Sequence, residues 1–249
     1  MLEIKEISKA FDGVNAVDDF SLLVQEKKIT SLIGPNGAGK TTAFNIVTGF
    51  LSPDAGEVLF RGHSLSNKPA YRIARKGITR TFQNLRLFEK LTACDNVLLG
   101  RQNQKGEKFF NALFSFSKNS PEHRSHVEKA EALLEFVGLH DHRDEFAENL
   151  SYGQQKLLSI ACCLAAEPDL LLLDEPVSGV QPAMIEKIVN IIRELVSKQR
   201  KTVLLIEHNI DFVLNISDTV VVMDEGKKIA EGTPSTIKNS PEILEAYLS

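Results

Sequence analysis

The apolar residues of this chain follow two patterns, continuous short runs in some segments and a helical spacing in others. Short, almost wholly apolar runs are typical of strands buried on both faces of a parallel sheet, and three are present: Ile29–Ile33, Leu170–Leu173 and Val203–Ile206. Val220–Met223 is a fourth candidate. Between them, Pro182–Lys198 carries apolar residues at a helical spacing, and so does Gln154–Ala166, which Pro168 ends. Strands that alternate with helices predict an α/β fold with a parallel core sheet.

Other segments predict two additions to this core. Residues 2–7, 20–24 and 57–60 are short, partly alternating strands separated by turn residues, which favours an antiparallel β edge. Residues 86–160 lack strong strand signals and predict a mostly helical lobe. We therefore expect one domain over residues 1–249, with 1–85 and 161–249 forming the core and its antiparallel edge.

Composition narrows the class of protein. Charged residues make up 25% of the 249 positions and the net charge is −4, so no basic field suggests a nucleic-acid partner. The three cysteines include the adjacent pair Cys162–Cys163, which favours reduced thiols over a disulfide framework. The longest apolar run, Leu157–Ala166, is shorter than a membrane-spanning helix. We expect any membrane role to need a partner subunit.

A glycine-rich loop follows the first apolar run. Its sequence GPNGAGKT, from Gly34 to Thr41, matches the phosphate-binding pattern G-x-x-x-x-G-K-[ST] between a strand and a helix. Backbone N–H groups and the helix N-terminus would face phosphate oxygens. Lys40 would bind the β- and γ-phosphates, the Thr41 hydroxyl would bind Mg²⁺, and Thr42 could reach the α-phosphate. Taken alone, the pattern also fits a glycine turn before an ordinary helix. The expected contacts are Gly34, Asn36, Gly37, Ala38, Gly39, Lys40, Thr41 and Thr42.

Two carboxylates end the second apolar run. Leu170–Leu173 is followed by Asp174 and Glu175, and ligands bind at the carboxyl ends of parallel strands. Asp174 would hold Mg²⁺ and Glu175 would polarise the attacking water as a general base. A strand that ends in a solvated acidic turn is the alternative.

A third motif separates the families that share the first two. Leu150-Ser151-Tyr152-Gly153-Gln154 precedes Asp174 and opens a helix, which by itself fits a capped helix. In the order found here it resembles the signature of the ABC ATPases, usually LSGGQ, with Tyr152 in place of a glycine. This resemblance covers nearly the whole chain. It implies a head-to-tail dimer, in which Ser151, Gly153 and Gln154 of one chain close on the ATP of the other.

The same resemblance assigns further residues. Gln83 matches the glutamine loop, which contacts Mg²⁺ or the attacking water, and His208 matches the switch histidine beside the γ-phosphate. Phe11 matches the aromatic residue that stacks on adenine. Gln181 departs from the family's pattern, which often has Asp at that position. A histidine after a strand and an aromatic residue in a core would otherwise be ordinary structural features.

The implied function is that of an ATP-hydrolysing subunit of an ABC transporter. The stretch Arg80–Phe88, the insertion near 102–126, Tyr152 and the ends Gly232–Pro234 and Tyr247–Ser249 resemble the branched-chain amino-acid importers. Lipopolysaccharide-export and urea-import ATPases are alternatives. A non-transport ABC ATPase usually has two ATPase units or a coiled-coil insertion, and a non-catalytic regulator would lack Glu175 or His208.

The resemblance also implies cofactors and partners. They are ATP and Mg²⁺, transmembrane permease subunits, a second identical or paralogous ATPase subunit and, indirectly, a substrate-binding protein. The chain would be peripheral on the cytoplasmic face of the inner membrane. The phenylalanine-rich segment Gln102–His126 would serve docking to the membrane subunits, or only pack within the helical lobe.

Overall fold

Strands of the parallel type form the centre of the molecule. The computed structural model describes residues 1–83, 85–101 and 121–240. Six of its strands form one sheet: β3 (Ile29–Ile33), β6 (Ile78–Arg80), β7 (Leu170–Asp174), β8 (Thr202–Ile206), β9 (Thr219–Asp224) and β10 (Lys227–Gly232). Their order is β10-β9-β3-β8-β7-β6, and every pair is parallel except β10 with β9.

Four strands form the antiparallel edge. They are β1 (Leu2–Phe11), β2 (Val14–Val24), β4 (Ala55–Phe60) and β5 (His63–Ser64), in the order β2-β1-β4-β5. The β1–β2 hairpin turns through Asp12 and Gly13, both with positive φ (48° and 84°). A two-residue turn of this kind matches the twist of its strands and favours Asp-Gly.

Helices flank and extend the sheets. They are α1 (Lys40–Val47), α2 (Ala70–Ala74), α3 (Ala93–Leu99), α4 (Pro121–Phe136), α5 (Tyr152–Leu164), α6 (Pro182–Ser197), α7 (Ile210–Ile216) and α8 (Pro234–Lys238), with 3₁₀ turns at His140–His142 and Ala147–Asn149. In the helical region, α3 packs on both α4 and α5. The predicted lobe boundary at residue 160 falls within α5, which continues to Leu164.

Among the described residues, the buried apolar side chains form two clusters on opposite sides of the parallel sheet. Leu171 and Leu173 of β7 belong to the cluster that contains the helical lobe, while Leu170 and Leu172 belong to the cluster that contains α1 and the antiparallel sheet. This division follows from side chains that alternate along a strand buried on both faces. The carboxyl end of β7 is therefore held firmly between two packed layers.

The sequence missed two strands of the central sheet. β6 has only three residues beside a basic stretch, and β10 is largely polar, so neither has the apolar run that marked the other strands. The fourth candidate, Val220–Met223, does lie in a strand of this sheet and pairs in parallel with β3.

Some predictions fall outside the described residues. They concern 102–120 of the proposed docking segment, Asn84, and the C-terminal Tyr247–Ser249. Within the residues that are described, no helix has both the length and the apolar character needed to cross a lipid bilayer.

Candidate active site

The glycine-rich loop joins the carboxyl end of β3 to α1. A Cβ atom on Gly34 would lie 1.9 Å from the carbonyl oxygen of Met223, and one on Gly39 would lie 2.1 Å from that of Ala16. Gly39 also has φ +98°, immediately before the first residue of the helix. Only glycine allows the loop to pass so close to these two strands, which fixes it against β9 and the start of β2.

The expected phosphate contacts lie on this loop and the first turn of α1. Asn36, Gly37 and Thr41 are exposed and Thr42 is half-buried, whereas Ala38 is buried and its carbonyl oxygen accepts a hydrogen bond from the Gly226 amide at 3.1 Å. The open side of the loop therefore carries the polar groups that a phosphate would need, and its buried side is anchored to the β9–β10 turn.

Lys40 crosses the loop that it follows. Its ammonium donates to the carbonyl oxygens of Gly34 (2.7 Å) and Pro35 (2.8 Å), and the residue is buried. Burial lowers the pKa of Lys40, while the nearby carboxylates of Glu175 and Asp174 raise it. The lysine and both acidic residues thus belong to one electrostatic site, as the two motifs predict.

Asp174 ends β7 and is almost completely buried. A guanidinium nitrogen of Arg80 donates to its Oδ2 at 2.6 Å, and both side chains are only 4% exposed. The backbone N–H of Asp174 donates to the Thr81 hydroxyl at 3.0 Å. The alternative of a solvated acidic turn is therefore wrong for this carboxylate.

Arg80 was missed as a site residue. From the sequence, the basic run Arg72, Arg75, Lys76 and Arg80 predicts a solvated face, with phosphate head groups or a protein partner as the alternative. The solvated face is wrong for Arg80, which is buried. The signal was absent because the three-residue strand β6, which turns this side chain inward next to β7, has no recognisable pattern of its own.

Glu175 lies at the centre of the predicted catalytic group. The Gln83 side-chain amide donates to its Oε2 at 3.0 Å, and His208 Nδ1 lies 3.8 Å from its Oε1. The backbone of Glu175 has φ +48°, a left-handed conformation that costs a non-glycine residue roughly 1–2 kcal/mol. Its N–H donates to the carbonyl oxygen of Ile206, and its own carbonyl oxygen accepts from the Lys156 ammonium. The structure thus brings the three predicted catalytic side chains together.

The backbone of the loop that carries His208 is anchored by the fully buried Glu207. The Glu207 carboxylate accepts hydrogen bonds from the backbone N–H groups of Val177, His208 and Asn209, at 3.0, 3.0 and 3.3 Å. Burial raises the pKa of Glu207, and these three donors lower it. Glu207 therefore ties the loop after Glu175 to the loop that carries His208, a role that no sequence signal indicated.

The signature segment begins α5. The Ser151 hydroxyl accepts from the Gln154 N–H at 3.4 Å, and the Gln154 side-chain oxygen accepts from the Ser151 N–H at 2.8 Å, which forms a capping box. The Gln154 amide nitrogen contacts His142 at 2.9 Å. The side chain of Gln154 is thus engaged within its own subunit, while Ser151 is exposed and Gly153 half-buried at the helix N-terminus.

Phe11 and Gln181 occupy the ends of other elements. Phe11 closes β1 with its side chain 44% exposed, and the Lys9 ammonium lies 5.7 Å from its ring centroid. The hairpin that it begins leads to Ala16, whose carbonyl oxygen touches the phosphate loop at Gly39. Gln181 precedes α6 and makes no side-chain cap to that helix.

The three motifs and their geometry match a known family. Residues 17–178 match the family model described as ABC transporter. The chain belongs to the ABC transporter family. This assignment confirms the predicted α/β ABC ATPase fold, and the chain is an ATP-binding ATPase of that family.

Individual relatives extend the match over the full length. The chain is 41% identical over 248 residues to the high-affinity branched-chain amino acid transport ATP-binding protein BraF of Pseudomonas aeruginosa, covering 100% of this chain and 97% of BraF. It is 39% identical to the protein of the same description, LivG, of Escherichia coli K12, with the same coverage. A solved structure of the ADP conformation of an ATP-binding cassette of an ABC transporter has a TM-score of 0.86 and 36% identity, over 100% of this chain and 98% of that one.

Proposed function

We propose that this chain is the ATPase subunit of a branched-chain amino-acid importer, peripheral on the cytoplasmic face of the inner membrane. The ATPase role of this site is carried by one observation. Gln83 donates a hydrogen bond to one carboxylate oxygen of Glu175, and His208 Nδ1 lies 3.8 Å from the other. The transported cargo is supported by the full-length identity to BraF and LivG.

In this proposal Glu175 is the general base. Its carboxylate follows the buried Asp174 and is 16% exposed, so it can meet a water molecule that enters from the open side of the phosphate loop. Gln83 orients the carboxylate by its hydrogen bond, and His208 stands beside it to contact the γ-phosphate. Lys40 and the loop from Gly34 to Thr42 bind the phosphates, and Phe11 stacks on adenine.

Mg²⁺ fits the donor atoms available at this site. The carboxylate of Asp174, the hydroxyl of Thr41 and the amide oxygen of Gln83 are hard oxygen ligands, which Mg²⁺ prefers. When bound, the ion would neutralise charge on the β- and γ-phosphates. The chain's own contribution is to hold the Asp174 carboxylate in place through the buried Arg80, whose terminal nitrogen lies 2.6 Å from Oδ2.

A second ATPase subunit, identical or paralogous, would complete the site. Ser151 and Gly153 lie at the exposed start of α5, where backbone N–H groups can bind an anion. One chain would present this surface to the ATP held by the phosphate loop of the other. Gln154 would act mainly by shaping this helix start, because its side chain is engaged in the capping box.

The membrane permease subunits would contact the face beside Gln83. A cavity of about 510 Å³, lined among others by Phe50, Tyr71, Phe82 and Leu99, opens next to this loop. An apolar surface of this kind fits a protein partner. A substrate-binding protein would act through the permease and not touch this chain.

Uptake in cells tests the proposed cargo. The gene would be deleted in its own host and restored either as the native chain or as the Glu175→Gln variant, and uptake of labelled leucine and labelled urea would be measured. We expect leucine uptake to disappear on deletion and return only with the native chain. Loss of urea uptake with leucine uptake intact would contradict the amino-acid assignment.

A further inference from the structure

The guanidinium of Arg80 is held in a closely built environment. Its central carbon lies 5.3 Å from the ring centroid of Phe44 and 5.2 Å from that of Phe82. One terminal nitrogen donates to the Asn45 side-chain oxygen at 2.7 Å, and the other donates to Asp174 at 2.6 Å. Each of the two terminal nitrogens thus has a defined acceptor, and the side chain is buried.

This environment favours the contact with Asp174 at a cost elsewhere. The Nε atom of Arg80 is buried without a hydrogen-bond partner among the described residues. A buried donor left unsatisfied is unfavourable, so the position of the guanidinium is not one that satisfies all its own groups. The geometry instead places the terminal nitrogen on one oxygen of the carboxylate.

We propose that Arg80 is a positioning residue for Mg²⁺, acting through Asp174. The inference rests on the proposed role of Asp174 as the metal carboxylate. Arg80 holds Oδ2, which fixes the plane of the carboxylate and leaves Oδ1 for the metal or its water. Because the Arg80 fork is planar and reaches two acceptors at once, a lysine cannot reproduce the arrangement.

The contact between Arg80 and Asp174 also bears on Lys40, the lysine of the phosphate loop. Lys40 and Lys156 both interact electrostatically with Asp174, but the side chain that donates a hydrogen bond to its carboxylate is Arg80. With Arg80 bound to Asp174, the Lys40 ammonium remains on the carbonyl oxygens of the phosphate loop, where it can turn to a phosphate. Arg80 therefore pairs with Asp174, and Lys40 stays on the phosphate loop.

The position of Arg80 in the chain links it to the catalytic base. Arg80 ends β6, and Gln83 follows three residues later with its hydrogen bond to Glu175. The adjacent carboxylates Asp174 and Glu175 are thus both held from one short segment. A shift of this segment would change the metal carboxylate and the general base together.

The test is the Mg²⁺ dependence of nucleotide binding. Binding of a fluorescent, non-hydrolysable ATP analogue to the full chain would be titrated with Mg²⁺ and repeated in EDTA, with folding checked by thermal unfolding. In Arg80→Lys we expect the Mg²⁺ concentration at half-saturation to rise about tenfold, which is typical when a residue that orients a metal ligand is changed, and affinity in EDTA to stay the same. Arg86→Lys is the matched control. The central carbon of the Arg86 guanidinium lies 3.8 Å from the Phe82 ring centroid, so Arg86 shares this aromatic contact with Arg80, but the arginine that pairs with Asp174 is Arg80.

Asp174→Asn separates this inference from the proposed function. If Asp174→Asn raises the Mg²⁺ requirement and a folded Arg80→Lys does not, Arg80 is only structural and the inference is overturned, while the metal assignment stands. If Asp174→Asn leaves the Mg²⁺ requirement unchanged, the metal assignment fails and the inference fails with it. A rise in both variants, absent from Arg86→Lys, supports the inference.

Discussion

The side-chain amide of Gln83 donates a hydrogen bond to the Glu175 carboxylate at 3.0 Å, across 92 positions of sequence. Gln83 follows the edge strand β6, and Glu175 follows β7, the strand with which β6 pairs in parallel. The two residues meet because the carboxyl ends of neighbouring parallel strands lie at the same edge of the sheet. Through this contact, the segment beside the apolar cavity reaches the proposed general base.

Removing the Gln83 amide should slow hydrolysis more than it weakens binding. In Gln83→Ala the Glu175 carboxylate loses a partner that fixes its orientation, and we expect kcat to fall roughly 10- to 100-fold, as small misplacements of reacting groups do. ATP affinity should change little. Steady-state phosphate release and equilibrium nucleotide binding check this, with the exposed Gln199→Ala as control. A kcat equal to that of the native chain would remove Gln83 from the proposed site.

Lys40→Ala should sharply weaken ATP binding. It deletes the only charged side chain of the phosphate loop, and losing a hydrogen bond to a charged group corresponds to an affinity loss of about 10- to 100-fold. Equilibrium binding of a fluorescent ATP analogue measures the effect. The control is Lys198→Ala, since that lysine is 72% exposed at the end of α6, where it pairs with Glu194. Unchanged affinity in Lys40→Ala would contradict the phosphate-loop assignment.

Gly39→Ala should destabilise the protein and disturb the phosphate loop. The added Cβ would lie 2.1 Å from the Ala16 carbonyl oxygen, in a backbone conformation with φ +98°. Gly62→Ala is matched to it, because Gly62 also has a left-handed φ (+76°) but a Cβ added there would meet no described atom within 4 Å.

Denaturant unfolding of the two glycine variants separates the cost of a left-handed backbone conformation from the cost of the steric clash at Gly39. We expect Gly62→Ala to lose about 1–2 kcal/mol of stability from backbone strain alone. Gly39→Ala should lose more and should also bind the ATP analogue more weakly. Equal losses in both variants, with native ATP affinity, would show that the close contact at Gly39 is easily relieved.

The sequence predicts the phosphate loop and the two carboxylates of this site far better than the residues that hold them in place. GPNGAGKT and the Leu170–Glu175 run have strong local patterns, since a glycine loop between strand and helix and a strand that ends in two acids need no tertiary information. The two motifs are expected to lie close together because each follows the carboxyl end of a strand in the same parallel sheet.

The supporting residues lacked such local signals. Arg80 belongs to a three-residue strand within a basic stretch, and its burial depends on pairing with β7, about ninety residues away along the chain. Glu207 is an acidic residue after an apolar strand, and nothing in its surroundings along the chain shows that it accepts three backbone hydrogen bonds. Both roles arise only when distant segments meet.

The Glu175→Gln variant tests the central claim, that each ATP is shared by two chains. Glutamine keeps the shape of the side chain but cannot accept the proton of the attacking water, so hydrolysis should stop while ATP binding persists. The Ser151–Gly153 surface of one chain should then stay closed on the ATP of the other. Light scattering of this variant with and without ATP is the most direct measurement. We predict a monomer without nucleotide and a dimer with ATP; an unchanged mass, with ATP binding intact, would contradict the shared site in the isolated chain.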